Sequence, residues 1–310
     1  MTSLRESYPP SSHAHSIPPQ LLDQLRSLSR STPTALAIEA PTLLAEQVAL
    51  HLAALLVPTA SARSVDVRVV APSSPTWSVS EVDSQILSPT LMVPTLRNVI
   101  VVLDADAMSP SASDHILKAI EEPASPTTFC LCVSSLEGLS PTIRGRLTTT
   151  IKAALHPSDT AAWLSAAGLP EDLATRASLS LGQEAVLLSS LVGHLDLVND
   201  LLDAATKYPP AHLAATRGAA LSSLVVEVVK VSHSGSATPV MLHRLERALA
   251  AALISAWRHE LTDRVRSKDQ GLSEPSRQVS LQRRLTRTDA SLEILRRHGS
   301  PQLALTLAAS

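Results

Sequence analysis

Asn98–Leu147 reads NVIVVLDADAMSPSASDHILKAIEEPASPTTFCLCVSSLEGLSPTIRGRL. Its opening run, Val99–Leu103, is continuously apolar and rich in β-branched residues, the pattern of a strand covered on both faces. Asp104 and Asp106 follow at its carboxyl end. Ser109 suits an N-cap and Pro110 the first helical turn, so a helix is expected to begin there. Ile116, Leu117 and Ile120 give that helix an apolar stripe, and Pro123 stops it. A second apolar run, Thr128–Val133, ends on the polar pair Ser134 and Ser135. Two buried strands joined by one helix make a βαβ unit, which implies a parallel sheet.

Upstream, 1–17 reads as a flexible arm rich in Pro and Ser. Leu21–Leu28 is a short amphipathic helix, Ala35–Ile38 a strand, and Leu43–Leu56 a helix running into Pro58. Val65–Val70 is a further strand, and Val79–Leu91 holds a helix after a loose stretch around Trp77. Downstream, Thr148–Ile151 is a last short strand, and Pro157 opens a helical region. Residues 158–190 hold two or three short helices, with turns at Gly168–Pro170 and Gly182, and Leu187–Leu202 reads as another helix. Helices are expected over 212–231, 239–262 and, in two pieces around Gly299–Pro301, over 280–307. The β-branched run Val225–Val231 is assigned to the first of these. The domain reading is therefore an arm (1–17), an α/β domain (18–154), a small helical domain (155–204) and a helical C-terminal domain (205–310).

The chain has 310 residues, 45% of them hydrophobic, 17% charged and only 2% aromatic. The core must be built from Leu, Val, Ile and Ala, and base-stacking surfaces are disfavoured. A net charge of −2 gives no bulk electrostatic case for nucleic acid. From Arg264 onward nine Lys or Arg face four Asp or Glu, which reads as a solvated helical face more than a phosphate-binding patch. Cys130 and Cys132 alternate within a strand and are expected to be buried thiols, since no further metal ligands accompany them. No signal peptide is read, and the longest apolar stretch, Val48–Val57, is too short to span a bilayer. A cytoplasmic protein is the expectation.

Lys118–Pro123 (KAIEEP) together with Leu139–Arg146 (LSPTIRGR) resembles the AAA+ clamp-loader family of bacterial DNA polymerase III, in particular its delta-prime branch. The resemblance is strong over 98–147, adequate over 34–70 and architectural beyond 155. It implies an ATPase-like α/β domain with a parallel sheet, a small helical lid and an all-helical collar used for oligomerisation. It also implies tau/gamma-type and delta-type partners in a five-membered ring. Through that ring come a sliding clamp and primer-template DNA, with no role for a membrane.

Laid on the family's phosphate-binding loop, Ala40–Gln47 (APTLLAEQ) puts Ala40, Leu43 and Ala45 at glycine positions, Glu46 at the lysine and Gln47 at the hydroxyl. Leu and Ala do not readily supply the positive φ and close approach that such a loop needs. A carboxylate at the lysine position repels phosphate, by about 1 kcal/mol at 4 Å even in bulk water. In the acidic magnesium motif Leu103 falls at the metal-positioning Asp and Asp104 at the water-activating Glu. The resemblance thus implies no cofactor on this chain, with ATP and Mg in a neighbouring subunit. Arg146 matches the family's arginine that reaches a neighbour's ATP site, although Gly145 and Leu147 replace the usual flanking Ser and Cys. Arg144 is a weaker, supporting candidate. A guanidinium suits a γ-phosphate because it is planar, always charged and rich in donors. Ser134 or Ser135 matches the sensor position, and Ser180–Gln183 (SLGQ) matches a lid segment without its sensing arginine. The four-cysteine zinc module of many relatives is missing between Val57 and Asp66, so no zinc is expected. The rival readings are an inactive AAA+ adaptor outside replication, an ATPase with an unorthodox loop, and a plain nucleic-acid binder.

Overall fold

The computed structural model describes residues 17–57, 66–74, 76–91, 94, 97–206, 223–227, 239–268, 275–296 and 300–309. The chain divides into two units, Met1–Ala154 and Leu155–Ser310.

Five strands of the first unit form one sheet: β1 (Ala35–Glu39), β2 (Val67–Val70), β3 (Asn98–Val102), β4 (Thr127–Val133) and β5 (Thr149–Lys152). The order is β2-β3-β4-β1-β5. Every pairing is parallel, with Ala35 opposite Phe129, Asn98 opposite Thr127, Val67 opposite Val99 and Leu36 opposite Thr149. Both inner strands of the quoted βαβ unit are buried along their whole length, which is why neither shows a polar alternation.

Helices cover both faces. Ala35, Ala37, Ile100, Val102, Phe129 and Leu131 pack on one side with Val82 and Ile86 of α3 (Val79 to Thr90), Ile116 and Ile120 of α4 (Pro110–Glu121) and Ile143 of α5 (Pro141–Arg144). Side chains alternate along a strand, so Leu36, Ile38, Cys130 and Cys132 point to the other side. There α2 (Thr42–Leu56) packs on β1, β3 and β4, and α1 (Pro19–Ser31) packs on α2. Both cysteines are buried and free. Ser109 caps α4 by accepting the Ala112 N–H at 3.2 Å, with Pro110 in the first turn.

The second unit is helical in its described residues: α6 (Pro157–Ala166), α7 (Glu171–Leu181), a 3₁₀ stretch (Gly182–Leu191), α8 (Leu195–Thr206), α9 (Pro239–Lys268), α10 (Pro275–Arg296) and α11 (Pro301–Ala309). The long α9 packs against α7, the 3₁₀ stretch, α8, α10 and α11. Trp257 of α9 is fully buried and donates its indole N–H to the Ala204 carbonyl at 2.9 Å.

Several elements differ from the sequence expectation. The helix expected over Leu187–Leu202 is replaced by the end of the 3₁₀ stretch and the start of α8, with the break at Gly193–His194, where glycine weakens a continuous helix. The helix over Val79–Leu91 contains a π-helical stretch at Val82–Leu87, which propensity does not encode. The expected helix 239–262 continues to Lys268. Residues 223–227 are helical, as read for the β-branched run there. The arm up to residue 16, the loop 58–65 and the link 232–238 lie outside the described residues.

Candidate functional site at the two edges of the sheet

In a parallel sheet, ligand crevices form outside the carboxyl ends of the strands, where the strand order reverses. Here that point is β1, which lies between β4 and β5. The chain leaves β1 at Glu39 and enters α2 at Thr42, so only Ala40 and Pro41 connect them. The Ala40 N–H donates to the Val133 carbonyl at 3.1 Å, and the Ala45 N–H to the Pro41 carbonyl at 2.8 Å. The segment laid on a phosphate loop is therefore helix from residue 42 onward. That agrees with the helix read from Leu43 onward, and it places the helix start before the glycine position at Ala45. Its amides are committed to the i→i−4 ladder or its first turn, and a helix does not form the concave nest of a phosphate loop. No residue of 40–47 has a positive φ. Glu46 is 5% exposed, so the carboxylate at the lysine position is packed into the domain. Glu39 ends β1, with the Lys152 ammonium 3.8 Å away at the end of β5.

At the carboxyl end of β3, Leu103 is buried and Asp104 takes a left-handed conformation (φ 49°, ψ 44°), which Asp tolerates better than most residues. A 3₁₀ turn, Ala105–Ala107, follows. Trp77 is fully buried beneath this turn. Its indole N–H donates to the Leu103 carbonyl at 3.1 Å and its backbone N–H to the Ala107 carbonyl at 3.0 Å. Asp106 reaches the end of β4 and accepts the Ser134 backbone N–H at 3.1 Å as well as the Ser134 hydroxyl. A Cβ on Gly138 would come within 2.7 Å of the Asp106 Cβ. The residue at the sensor position is thus held by an aspartate that the sequence left without a role. Among the described residues, no group of three His, Cys, Asp or Glu side chains is arranged to hold a metal ion.

The arginines lie elsewhere. Ser140 caps α5, accepting the Ile143 N–H at 3.3 Å, and Ile143 is fully buried. The chain then turns through Gly145 to Arg146 and enters β5 at Thr149, whose predecessor Thr148 donates to the Ala35 carbonyl at 2.8 Å. Because the strands are parallel, Arg144 and Arg146 sit at the amino-terminal edge of the sheet, opposite Glu39, Asp106 and Ser134. Arg146 donates from Nε to the Glu121 carboxylate and from Nη1 to the Thr142 carbonyl at 3.0 Å. The guanidinium of Arg144 is exposed and makes no ion pair among the described residues. Neither Asp106–Ser134 nor Glu121–Arg146 is visible in sequence, because each pair spans a whole strand–helix crossover.

In the second unit Gly182 follows α7 at φ 59°, ψ −140°, and a Cβ there would meet nothing within 4 Å. A glycine is required here by conformation and not by close packing. Gln183 accepts the Leu155 N–H at 3.2 Å. Burial pushes the neighbouring Glu184 carboxyl up to about 8.

The family model described as DNA polymerase III, delta subunit, matches residues 59–154, which include both sheet edges. Over that segment the chain is similar to this DNA polymerase III family. Solved structures with a similar course include a DNA polymerase III gamma subunit-related protein from Thermotoga maritima, at 18% identity and a TM-score of 0.47 over 92% of this chain and 98% of that one. A RuvB variant from Thermotoga maritima aligns at 13% identity and a TM-score of 0.44, over 77% of this chain and 81% of that one. The Aeropyrum pernix ORC2 protein aligns at 12% identity and a TM-score of 0.40, over 88% of each chain. No curated protein matches. The matched segment holds the parallel strands β2 to β5, the Asp106–Ser134 pair and both arginines, whereas β1 and α2 precede it. Among the described residues, no helix is long and apolar enough to cross a membrane.

Proposed function

We propose that this chain is a delta-prime-like, non-hydrolysing member of a clamp-loader ring that presents Arg146 to the ATP site of the adjacent subunit. The observation that carries this reading is the separation of the two edges. Arg146 lies at the amino-terminal edge of the sheet, while any nucleotide of this chain's own would sit off the carboxyl edge at β1. An arginine so placed has no path to its own site and faces outward, where a neighbour in a ring would lie. Its guanidinium would stabilise the charge developing on the transferred phosphoryl group. Arg144, two residues earlier at the end of α5, would support the same interface.

The chain's own nucleotide site is read as lost. Its supports are the direct passage from Glu39 into α2, the buried Glu46 and the capture of Ser134 by Asp106. ATP and Mg would belong to the tau/gamma-type neighbour. The sliding clamp, primer-template DNA and a delta-type subunit would be reached through a five-membered cytoplasmic ring.

The test is reconstitution with the ATP-hydrolysing neighbour, in rings whose remaining ATP sites are silenced. Single-turnover, DNA-stimulated hydrolysis is then compared for wild type and Arg146→Ala. A fall of roughly a thousandfold or more is expected for a lost arginine finger. An unchanged rate in an intact assembly would remove the trans role.

A further inference from the structure

We propose that Glu121 is the positioning residue that holds Arg146 in its reactive orientation, an inference that rests on the trans role given above. A guanidinium has five N–H donors in a rigid fork. Here the Nε–H is taken by the Glu121 carboxylate and one Nη1–H by the Thr142 carbonyl. No other acceptor among the described residues engages the Nη2 donors, so the outer end of the fork remains available to a phosphate. Arg146 is therefore gripped from behind and open in front.

Both grips come from fixed elements. Glu121 is the last residue of α4, whose Ile116 and Ile120 are buried in the core beneath it. Thr142 belongs to α5, which the fully buried Ile143 anchors. Arg144 has neither support and keeps its rotamer freedom. A long side chain that must be ordered when it meets its target loses rotamer entropy at that moment. One already ordered by neighbouring groups does not. This distinguishes the two arginines of Arg144–Leu147 (RGRL) on the basis of geometry: Arg146 is pre-organised and Arg144 is not. It also gives a purpose to the glutamate doublet that closes α4, since Glu121 points to Arg146 while the next residue, Glu122, only ends the helix.

The experiment uses the reconstituted ring with its other ATP sites silenced, and compares wild type, Glu121→Ala, Glu121→Gln, Arg146→Ala and the Glu121→Ala/Arg146→Ala double variant. Glu121→Ala is expected to lower the single-turnover hydrolysis rate at the adjoining site about tenfold, the scale of freeing one long side chain, with the KM for ATP unchanged. Glu121→Gln retains an acceptor and is expected to fall between Ala and wild type. The double variant is expected to match Arg146→Ala alone, because Glu121 acts only through the arginine. The thermal midpoint of the free chain and its entry into the ring are expected to stay at wild-type values. Wild-type rates for both Glu121 variants alongside a defective Arg146→Ala would overturn the positioning role and leave the trans role standing. So would additive losses in the double variant. A wild-type rate for Arg146→Ala would overturn both. Should Glu121→Ala fail to assemble, Glu121→Gln carries the same comparison with nearly the native shape.

Discussion

The Asp106 carboxylate accepts both the backbone N–H and the hydroxyl of Ser134, joining the turn after β3 to the end of β4. In an ATP-hydrolysing relative, a hydroxyl at this position would be expected to face nucleotide; here it faces an aspartate. Asp106→Ala should remove the acceptor for two donors at a partly exposed site. A loss of about 1 kcal/mol in unfolding free energy is expected, the usual scale for a solvent-accessible hydrogen bond. Equilibrium urea denaturation would measure it as a shift in midpoint at constant slope.

Gly138 supports the same joint from the other side. An added Cβ would lie 2.7 Å from the Asp106 Cβ, so the aspartate would have to move away from Ser134. Gly138→Ala is expected to destabilise the domain by about 1–3 kcal/mol, the range of an overpacked contact. Combined with Asp106→Ala, its cost should not vanish, because the clash is with the Cβ that alanine keeps. A double variant as stable as Asp106→Ala alone would show that the backbone gives way freely here.

Glu184 ties stability of the helical unit to pH. It has no hydrogen-bond partner among the described residues, and burial raises its carboxyl from 4.5 to about 8. Between those values the folded chain holds a proton that the unfolded chain has released. Folded stability from this group therefore falls as pH rises from about 4.5 towards 8 and levels off above it. Glu184→Gln should melt at a higher temperature than wild type above about pH 8, with the difference closing towards pH 4.5. Melting curves of the two proteins across that range decide it, and a constant offset would refute the titration.

The strands and the start of α4 were legible because burial on both faces leaves continuous β-branched runs, and because Ser109–Pro110 is a local cap signal with a local effect. The arginine segment was legible for the same reason, since Ser140 and Pro141 start α5 by the same chemistry. The helix beginning at Thr42 was legible to within one residue from the apolar run that starts at Leu43. What could not be read were pairings across a crossover. Asp106 meets Ser134 at a separation of 28 residues and Arg146 meets Glu121 at 25, distances at which periodicity and capping say nothing. Gly182 was visible as a break, but only its φ of 59° with nothing near its missing Cβ shows that conformation, not packing, selects it.

The buried cysteines offer a check on the sheet. Cys130 lies in the middle of β4 with no exposure, and burial pushes its thiol up to about 12. The reactive species is the thiolate, so at pH 8 the native protein should resist alkylation at this position. Modification should follow the rate of unfolding and become rapid in denaturant. Fast labelling of Cys130 in the native protein, read by mass spectrometry, would contradict a strand covered on both faces.

The last prediction separates two ways in which a phosphate site is lost. If the reversed charge at Glu46 were the whole defect, Glu46→Lys would restore binding of Mg-ATP. The geometry argues otherwise: the helix already begins at Thr42, and residues 42–47 carry no positive φ that would turn their amides into a nest. A lysine at a site that leaves Glu46 only 5% exposed would also carry an ammonium into the packed interior, which is costly without a partner. Glu46→Lys is therefore expected to bind no Mg-ATP by calorimetric titration and to melt below wild type. A saturable heat of binding in the variant would mean that α2 can unwind at its start, and that charge alone had closed the site.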